Sequence, residues 1–335
     1  MTDLPKTATV GVLLPTTTRP ADLVDTSVLV EKLGFSELWV GEDYFYLAGP
    51  SSAAIALSVT SNITVGIGLV SAVVRHPAVL AMEISTIAGA FPGRLVTGIG
   101  HGVPVWTKQM GLYPKSPVTA LSTVIETTGR LLAGETLAID DGPYYFDNVS
   151  LVHPLAADQS APLYAGVVGP KSLEMSGQSA DGTIMSMLAG PKYLSFVREK
   201  LAEGAARTGR DITTHQIPTF AIYSVSDDRE AARADARPVV AHFLDAIGPS
   251  AMTDVYGIND DLKEILALDD SAKIAAAIPD EWIDYFAVAG TPAECIDKIR
   301  ALRDAGATSV VLAPYPAEKS VAVLEQTATD VLPHL

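Results

Sequence analysis

A few short runs of this chain carry the residue types that do chemistry. Glu42-Asp43-Tyr44 sets two carboxyl groups side by side. A buried carboxyl there favours its neutral form and can donate a proton. The plain alternatives are a solvated loop acid or a cap for the next segment. His101 lies within Gly98-Ile99-Gly100-His101-Gly102-Val103-Pro104. Two flanking glycines leave it little shielding, which suits contact with a ligand more than proton transfer. The run is not a complete G-x-G-x-x-G. Ala165-Gly166-Val167-Val168-Gly169-Pro170-Lys171-Ser172 leads into a helix start. Free N–H groups there suit an anion, with Lys171 and Ser172 as further donors, unless the segment is a plain turn. Gly66-Ile67-Gly68-Leu69-Val70-Ser71 places glycines inside a strand, the mark of a bulge or a close backbone approach. Arg75-His76-Pro77 reads first as hydrogen bonding at a helix start.

Other chemistries lack their residues. The histidines at 76, 101, 153, 215, 242 and 334 have no metal-ligand spacing, so no metal is expected. There is no H-E-x-x-H, no G-x-S-x-G and no Walker A run.

The elements that must hold these runs alternate. Strands are expected at Thr9–Pro15, Leu38–Gly41, Ile63–Val70, Leu95–Gly100, Leu163–Val167, Thr183–Met187, Phe220–Val225 and Val310–Ala313. Helical periodicity fills the segments between them. Leu80, Ile84, Ile87 and Phe91 form one apolar stripe, and Cys295, Ile299 and Leu302 another. Thr291-Pro292-Ala293-Glu294 spells a capping box. Eight strands, each followed by helix, predict a (β/α)8 TIM barrel. A doubly wound sheet would need a glycine fingerprint after the first strand, where Pro15-Thr16-Thr17-Thr18 stands instead. Asp140-Asp141-Gly142-Pro143, between Thr136–Ile139 and Tyr144–Phe146, predicts a hairpin after helix four. Residues 227–285 read as a helical insertion before strand eight. One domain over 1–335 accommodates both insertions, the first at about 135–160.

In such a barrel, function gathers where strands end at their C-termini, and the runs above fall there. Ala313-Pro314-Tyr315-Pro316, at the last strand end, reads as a rigid turn without chemistry. Trp39, Tyr44, Phe45 and Trp106 would suit an apolar substrate wall, though all four also suit ordinary packing.

Composition removes several partners. Twenty-three Lys and Arg stand against 39 Asp and Glu, a net charge of −16, so a global nucleic-acid footprint is absent. Cys295, the one cysteine, excludes an internal disulfide and fits a reducing, cytoplasmic compartment. Met1–Lys6 lacks the regions of a signal peptide. Tyr44–Val74 carries no charge and is long enough to span a bilayer, but Pro50-Ser51-Ser52 and Thr60-Ser61-Asn62 cut it into a helix and a strand. No membrane span is expected.

Together, Leu38-Trp39-Val40-Gly41-Glu42-Asp43, Gly66-Ile67-Gly68-Leu69-Val70 with Arg75-His76-Pro77, Gly98-Ile99-Gly100-His101-Gly102 and Gly290-Thr291-Pro292 resemble the bacterial luciferase-like family of flavin- and deazaflavin-dependent oxidoreductases. The resemblance covers nearly the whole chain. It implies a barrel holding a flavin-type ring at its C-terminal face, backed by a strand-three bulge with a non-prolyl cis peptide at Gly68-Leu69. Cofactor contact would fall to Gly68, Leu69, Val70, His101 and Gly102, with Gly166, Val167, Val168 and Gly169 on the side chain and phosphate. Gly-Ile-Gly-Leu-Val followed by Arg-His-Pro looks closer to the coenzyme F420 branch, which includes methylenetetrahydromethanopterin reductase.

The chain also departs from that branch. Many deazaflavin enzymes carry Asp-His where Glu42-Asp43 stands. The branch that oxidises glucose 6-phosphate uses that His and a Glu where Val103 stands, which puts sugar-phosphate dehydrogenation in doubt.

The expectation is hydride transfer between coenzyme F420 and a small organic substrate, with Glu42, Asp43 or His101 handling the proton. The alternatives are a monooxygenase using flavin mononucleotide (FMN) and molecular oxygen, and a barrel that binds flavin without catalysis. A homodimer is what the resemblance implies.

Overall fold

The computed structural model describes residues 9–335, so the reading of Met1–Lys6 lies outside it. Eleven strands form: β1 (Thr9–Leu13), β2 (Glu37–Val40), β3 (Thr64–Ser71), β4 (Leu95–Gly100), β5 (Leu137–Ile139), β6 (Phe146–Val149), β7 (Leu163–Gly166), β8 (Gly182–Ile184), β9 (Pro218–Val225), β10 (Ala287–Gly290) and β11 (Ser309–Pro314). Nine pair in one sheet in the order β10-β9-β11-β1-β2-β3-β4-β7-β8, and β5 with β6 form the expected hairpin. The large sheet is parallel, and helices supply its crossovers. It also curls. Parallel bridges Gly182–Gln216 and Met185–Thr219 tie the β8 edge to the start of β9.

Two apolar layers follow from the curl. The larger one lies between the sheet and the helices, holding for example Leu38, Leu57, Leu80 and Ile84. The smaller one gathers side chains from six different strands: Trp39, Val96, Tyr164, Ile184, Phe220 and Val311. Residues alternate between the layers, so strands buried on both faces carry near-continuous apolar runs.

Local signals set the helix ends. Pro77 opens the helix Pro77–Ala90, and His76 Nδ1 accepts the Ala78 N–H at 3.2 Å. That is the helix-start role expected of His76. Thr291 and Glu294 close their capping box at the helix Pro292–Ala305. Cys295 is fully buried behind it, and burial pushes its thiol up to about 12. Among the described residues no helix is long and apolar enough to cross a membrane. The uncharged stretch divides into the helix Gly49–Val59 and β3, as expected.

Several boundaries differ from expectation. The hairpin's second strand starts at Phe146, not Tyr144, because the Tyr144 hydroxyl turns away to donate to Ala72 O at 2.5 Å. β10 was not foreseen: Ala-Val-Ala-Gly is too short and too small-sided to show a strand period. The helical insertion is broken into Arg229–Ile247, Ala251–Asp254, Asn259–Leu266, Ser271–Ala277 and Asp280–Phe286. The short helix Pro104–Gln109 was also unforeseen.

One buried polar chain crosses the β8 and β9 join. Ser176 Oγ meets Thr183 Oγ1 at 2.6 Å, and Thr183 Oγ1 meets His215 Nε2 at 2.7 Å. Burial lowers His215 from 6.5 to about 4. Between those values the unfolded chain binds a proton that the folded chain refuses, so stability falls as pH falls. Lowering pH from 7 to 5 should cost the wild type about 2 kcal/mol more than a His215→Gln variant. Urea unfolding of both proteins at the two pH values measures the difference, and equal losses would remove His215 as the cause.

Candidate active site

The strand-three glycines are explained by what approaches them. Between β3 and β4 the register passes from Ile67–Thr97 to Val70–Ile99, which is a bulge, and the Gly68–Leu69 peptide is cis. Both features match what the resemblance implied. Leu69 leaves the bulge toward three glycines on the neighbouring strands. A Cβ on Gly166 would fall 2.0 Å from Leu69 Cδ2, and one on Gly100 2.6 Å from it. A Cβ on Gly98 would fall 3.3 Å from Leu69 Cβ. On the same reckoning Gly68 lies 2.6 Å from Phe220 Cζ, and Gly66 2.3 Å from the Trp39 ring. Gly66 and Gly68 therefore make room for interior side chains. Trp39, expected among possible wall residues, is 1% exposed and belongs to the inner core. Phe45 is exposed, and Tyr44 meets Trp106 edge-on at 6.2 Å.

The β4 tip is tied to its neighbours on both sides. Ser71 Oγ donates to His101 O at 3.3 Å, and Ala72 N to Gly100 O at 2.8 Å. Gly102 adopts φ 72°, with Ser71 Oγ 2.6 Å from where a Cβ would stand. His101 Nε2 lies 3.4 Å from Ser172 Oγ, while its Nδ1 is buried without a partner. Burial lowers the pKa of His101, so the imidazole is neutral near pH 7.

Ser172 sits in the first turn of the helix Pro170–Ser179. Gly169 occupies the N-cap and no side chain caps it. The Val168 carbonyl is fixed by the Tyr193 hydroxyl at 2.5 Å. The Gly166–Gly169 turn and the His101 tip thus meet at Ser172.

Glu42 and Asp43, in the loop just past β2, have different partners. Both Glu42 oxygens are filled as acceptors. Arg75 donates to Oε1 at 2.6 Å and to Oε2 at 2.7 Å; the Tyr44 hydroxyl adds 3.1 Å and the Gly49 N–H 2.8 Å. Arg75 also lies 3.1 Å from Glu83. A carboxylate held by this set is engaged as the anchor of a loop, with all four of these contacts coming from donors. Asp43 turns the other way and accepts from Thr16 Oγ1 at 3.2 Å. Burial raises its pKa. It also acts on Tyr315, whose pKa rises mainly through burial and further through the Asp43 charge.

No hydrogen bond joins Glu42, Asp43 and His101 to one another among the described residues. Sequence reasoning missed Arg75 and Tyr315 as parts of this face. The signal for Arg75 was available: it is the first cation after Glu42, at the end of the charge-free stretch 44–74. Tyr315 follows the fully buried strand β11 and carried no signal beyond its place at a strand end. Among the described residues no cluster of His, Cys, Asp and Glu could hold a metal ion.

The family model described as luciferase-like monooxygenase matches residues 7–309. The chain is 28% identical over 288 residues to 5,10-methylenetetrahydromethanopterin reductase of Methanolobus tindarius, covering 84% of this chain and 87% of that one. It is 26% identical over 329 residues to F420-dependent glucose-6-phosphate dehydrogenase of Nakamurella multipartita, covering 94% and 93%. The solved structure of coenzyme F420-dependent tetrahydromethanopterin reductase from Methanopyrus kandleri superposes with a TM-score of 0.85 at 24% identity, over 98% of this chain and 99% of that one. At that identity it bears on the fold.

The Leu69 seat has a direct test. Gly166→Ala places a methyl group inside Leu69 and should destabilise by about 1–3 kcal/mol, the range for overpacking. Adding Leu69→Ala should recover most of that loss, because the second change vacates the space. A urea-unfolding double-mutant cycle measures the coupling; additive losses would mean that the two residues do not compete.

Proposed function

The chain belongs to the luciferase-like monooxygenase family, and on that footing we propose that it is a coenzyme F420-dependent oxidoreductase acting on a small organic substrate. The observation that carries this reading is the Gly68–Leu69 bulge, set among the strand tips beside His101 and the Gly166–Gly169 turn. The names of the relatives point to the deazaflavin rather than to FMN. The curled sheet is read as a closed eight-stranded barrel of β1, β2, β3, β4, β7, β8, β9 and β11, in one domain. β10, the hairpin and the segment 227–285 are additions to it.

The residues present fit such a cofactor. Leu69 and Val70 present backbone that the bulge holds in one place. His101 Nδ1 is buried with no hydrogen-bond partner among the described residues. The helix Pro170–Ser179 starts uncapped, so its N–H groups and dipole suit an anionic tail. The coenzyme, when bound, supplies or takes the hydride.

The chain's own residues supply the rest. Gly68, Leu69 and Val70 orient one face, and Gly166, Val167, Val168 and Gly169 hold the tail. Gly102 and neutral His101 add contacts at the β4 tip. Asp43 carries the proton, because burial favours its neutral form while Thr16 fixes one of its oxygens. Glu42 serves as the anchor beneath Tyr44, held there by Arg75. Tyr44, Phe45 and Trp106 give the substrate an apolar approach. A cytoplasmic location is part of the same reading, carried by the single buried cysteine.

Two titrations of the cofactor-free protein test the assignment, one with coenzyme F420 and one with FMN. At about 100 times its dissociation constant a true ligand should stabilise by about 2.7 kcal/mol. A shift with the flavin alone would replace hydride transfer by oxygen chemistry, and none with either would end the reading. In the reductive direction Asp43→Asn should lower kcat by about 10²-fold or more and leave cofactor affinity unchanged. Wild-type kcat should fall as pH rises through the pKa of Asp43, which burial holds above 3.8. A loss below about tenfold would move the proton elsewhere.

A second copy of the chain is the proposed partner. Val24, Val28, Ile55, Val79 and Met82 are all at least 40% exposed, on three consecutive helices. The middle helix, Gly49–Val59, carries no charge on any face. Such a surface suits burial against itself. Sedimentation should give a dimer for the wild type and a monomer for Met82→Glu; a monomeric wild type would end this part of the reading.

A further inference from the structure

A cleft of about 100 Å³ opens beside β9, lined by none of the residues assigned to the strand-tip site. It exists because two strands share one edge of β9. β8 meets β9 only near Gln216, Thr219 and Ala221, and β10 pairs with Ile222–Val225. Side chains do not fill the space between them. The floor is apolar, with Met187, Phe220, Phe286, Val288 and Leu302.

Two charged side chains line the rim, Asp284 and Lys298. Asp284 Oδ1 accepts from Lys298 at 2.8 Å and, behind the rim, from the buried Arg233 at 2.6 Å. The nearby Asp280 carboxylate is taken by Arg237. Lys298 also donates to Ala289 O at 2.9 Å, and an ammonium has three protons. One therefore remains for an occupant, at the mouth of an apolar hollow, in a chain whose net charge is −16.

We propose that this cleft is a second small-molecule site, for a short monocarboxylate with an apolar tail. Lys298 receives the carboxylate, and the floor receives the tail. An apolar cavity of roughly 150 Å³ admits benzene, so this one admits a tail of about four carbons. The site also reaches the bulge. Phe220 forms part of the floor, and its Cζ stands 2.6 Å from where a Gly68 Cβ would be. An occupant that shifts the Phe220 ring is therefore felt at Gly68. Only this coupling rests on the cofactor reading above.

Calorimetric titration of the cofactor-free protein with sodium butyrate tests the site, with butan-1-ol and butylammonium as controls. Saturable one-to-one binding of butyrate is expected, weaker binding of the alcohol, and none of the cation. Lys298→Met should weaken butyrate by about tenfold or more, the worth of one charged hydrogen bond. Ala301→Phe, at an exposed position on the mouth, should block binding without changing Tm. No saturable binding by the wild type, or binding that survives Ala301→Phe, overturns the proposal. For the coupling, saturating butyrate should change the dissociation constant of coenzyme F420 several-fold in the wild type and not in Ala301→Phe. An unchanged wild-type constant rejects the coupling. A protein that binds butyrate but no deazaflavin keeps the site and loses both the coupling and the cofactor reading.

Discussion

The site rests on one steric fit, the side chain of Leu69 in a hollow left by Gly98, Gly100 and Gly166. Packing in an interior is close enough that a single methyl group decides whether such a fit exists. Gly100 on β4 and Gly166 on β7 give up their side chains so that Leu69 can enter, while Gly98 makes room first for Ile184 and the Ile67 carbonyl. The bulge in β3 is the backbone's share of the same fit, since an extra residue re-aims the side chains that follow it. Phe220 and Trp39 close the other side against Gly68. The bulge is thus held on both sides by packing, which keeps its backbone in one position at the face where chemistry is assigned.

A second constraint secures the neighbouring strand end. Glu42 and Arg75 are joined by two short hydrogen bonds with little water around them, so removing either partner would leave a buried charge alone. The pair links the end of β2 to the segment after β3 and carries the Gly49 N–H, where the next helix begins. Glu31 holds the far end of that stretch by accepting the N–H groups of Ser61, Asn62 and Ile63. An uncharged segment is thus fastened at each end by a carboxylate from outside it.

Much of this was legible in the sequence. Strand and helix alternation, the glycine runs and the Thr291–Glu294 box depend on local spacing, and spacing is what a sequence displays. The bulge at Gly68-Leu69 was legible through resemblance and through the glycines, but its partner residues were not. Nothing local in Gly166 says that Leu69 will lie against it, because nearly a hundred residues of chain intervene. Arg75 illustrates the opposite fault: its local reading as a helix-start group was reasonable, and a long-range pairing with Glu42 overrode it. β10 was lost because small residues show neither a strand period nor a helical one, and its pairing with β9 was settled by the sheet edge available to it. The cleft beside it follows from the same crowding.

Glu42 and Asp43 show why residue type alone could not assign the roles. They are chemically near-identical and adjacent. They stand in the loop just past β2, and their environments differ. Glu42 meets a guanidinium, a phenol and an amide, all donors, and its oxygens are filled. Asp43 meets one hydroxyl and loses water, which favours the neutral form. One carboxyl group is thus fully engaged as an acceptor, and the other is left with a single hydroxyl partner. A histidine in place of Asp43 would be the weaker acid holder here, since burial that protonates a carboxyl deprotonates an imidazole, as His101 shows across the same face. Burial of this strand end therefore suits a carboxyl as the proton-bearing group.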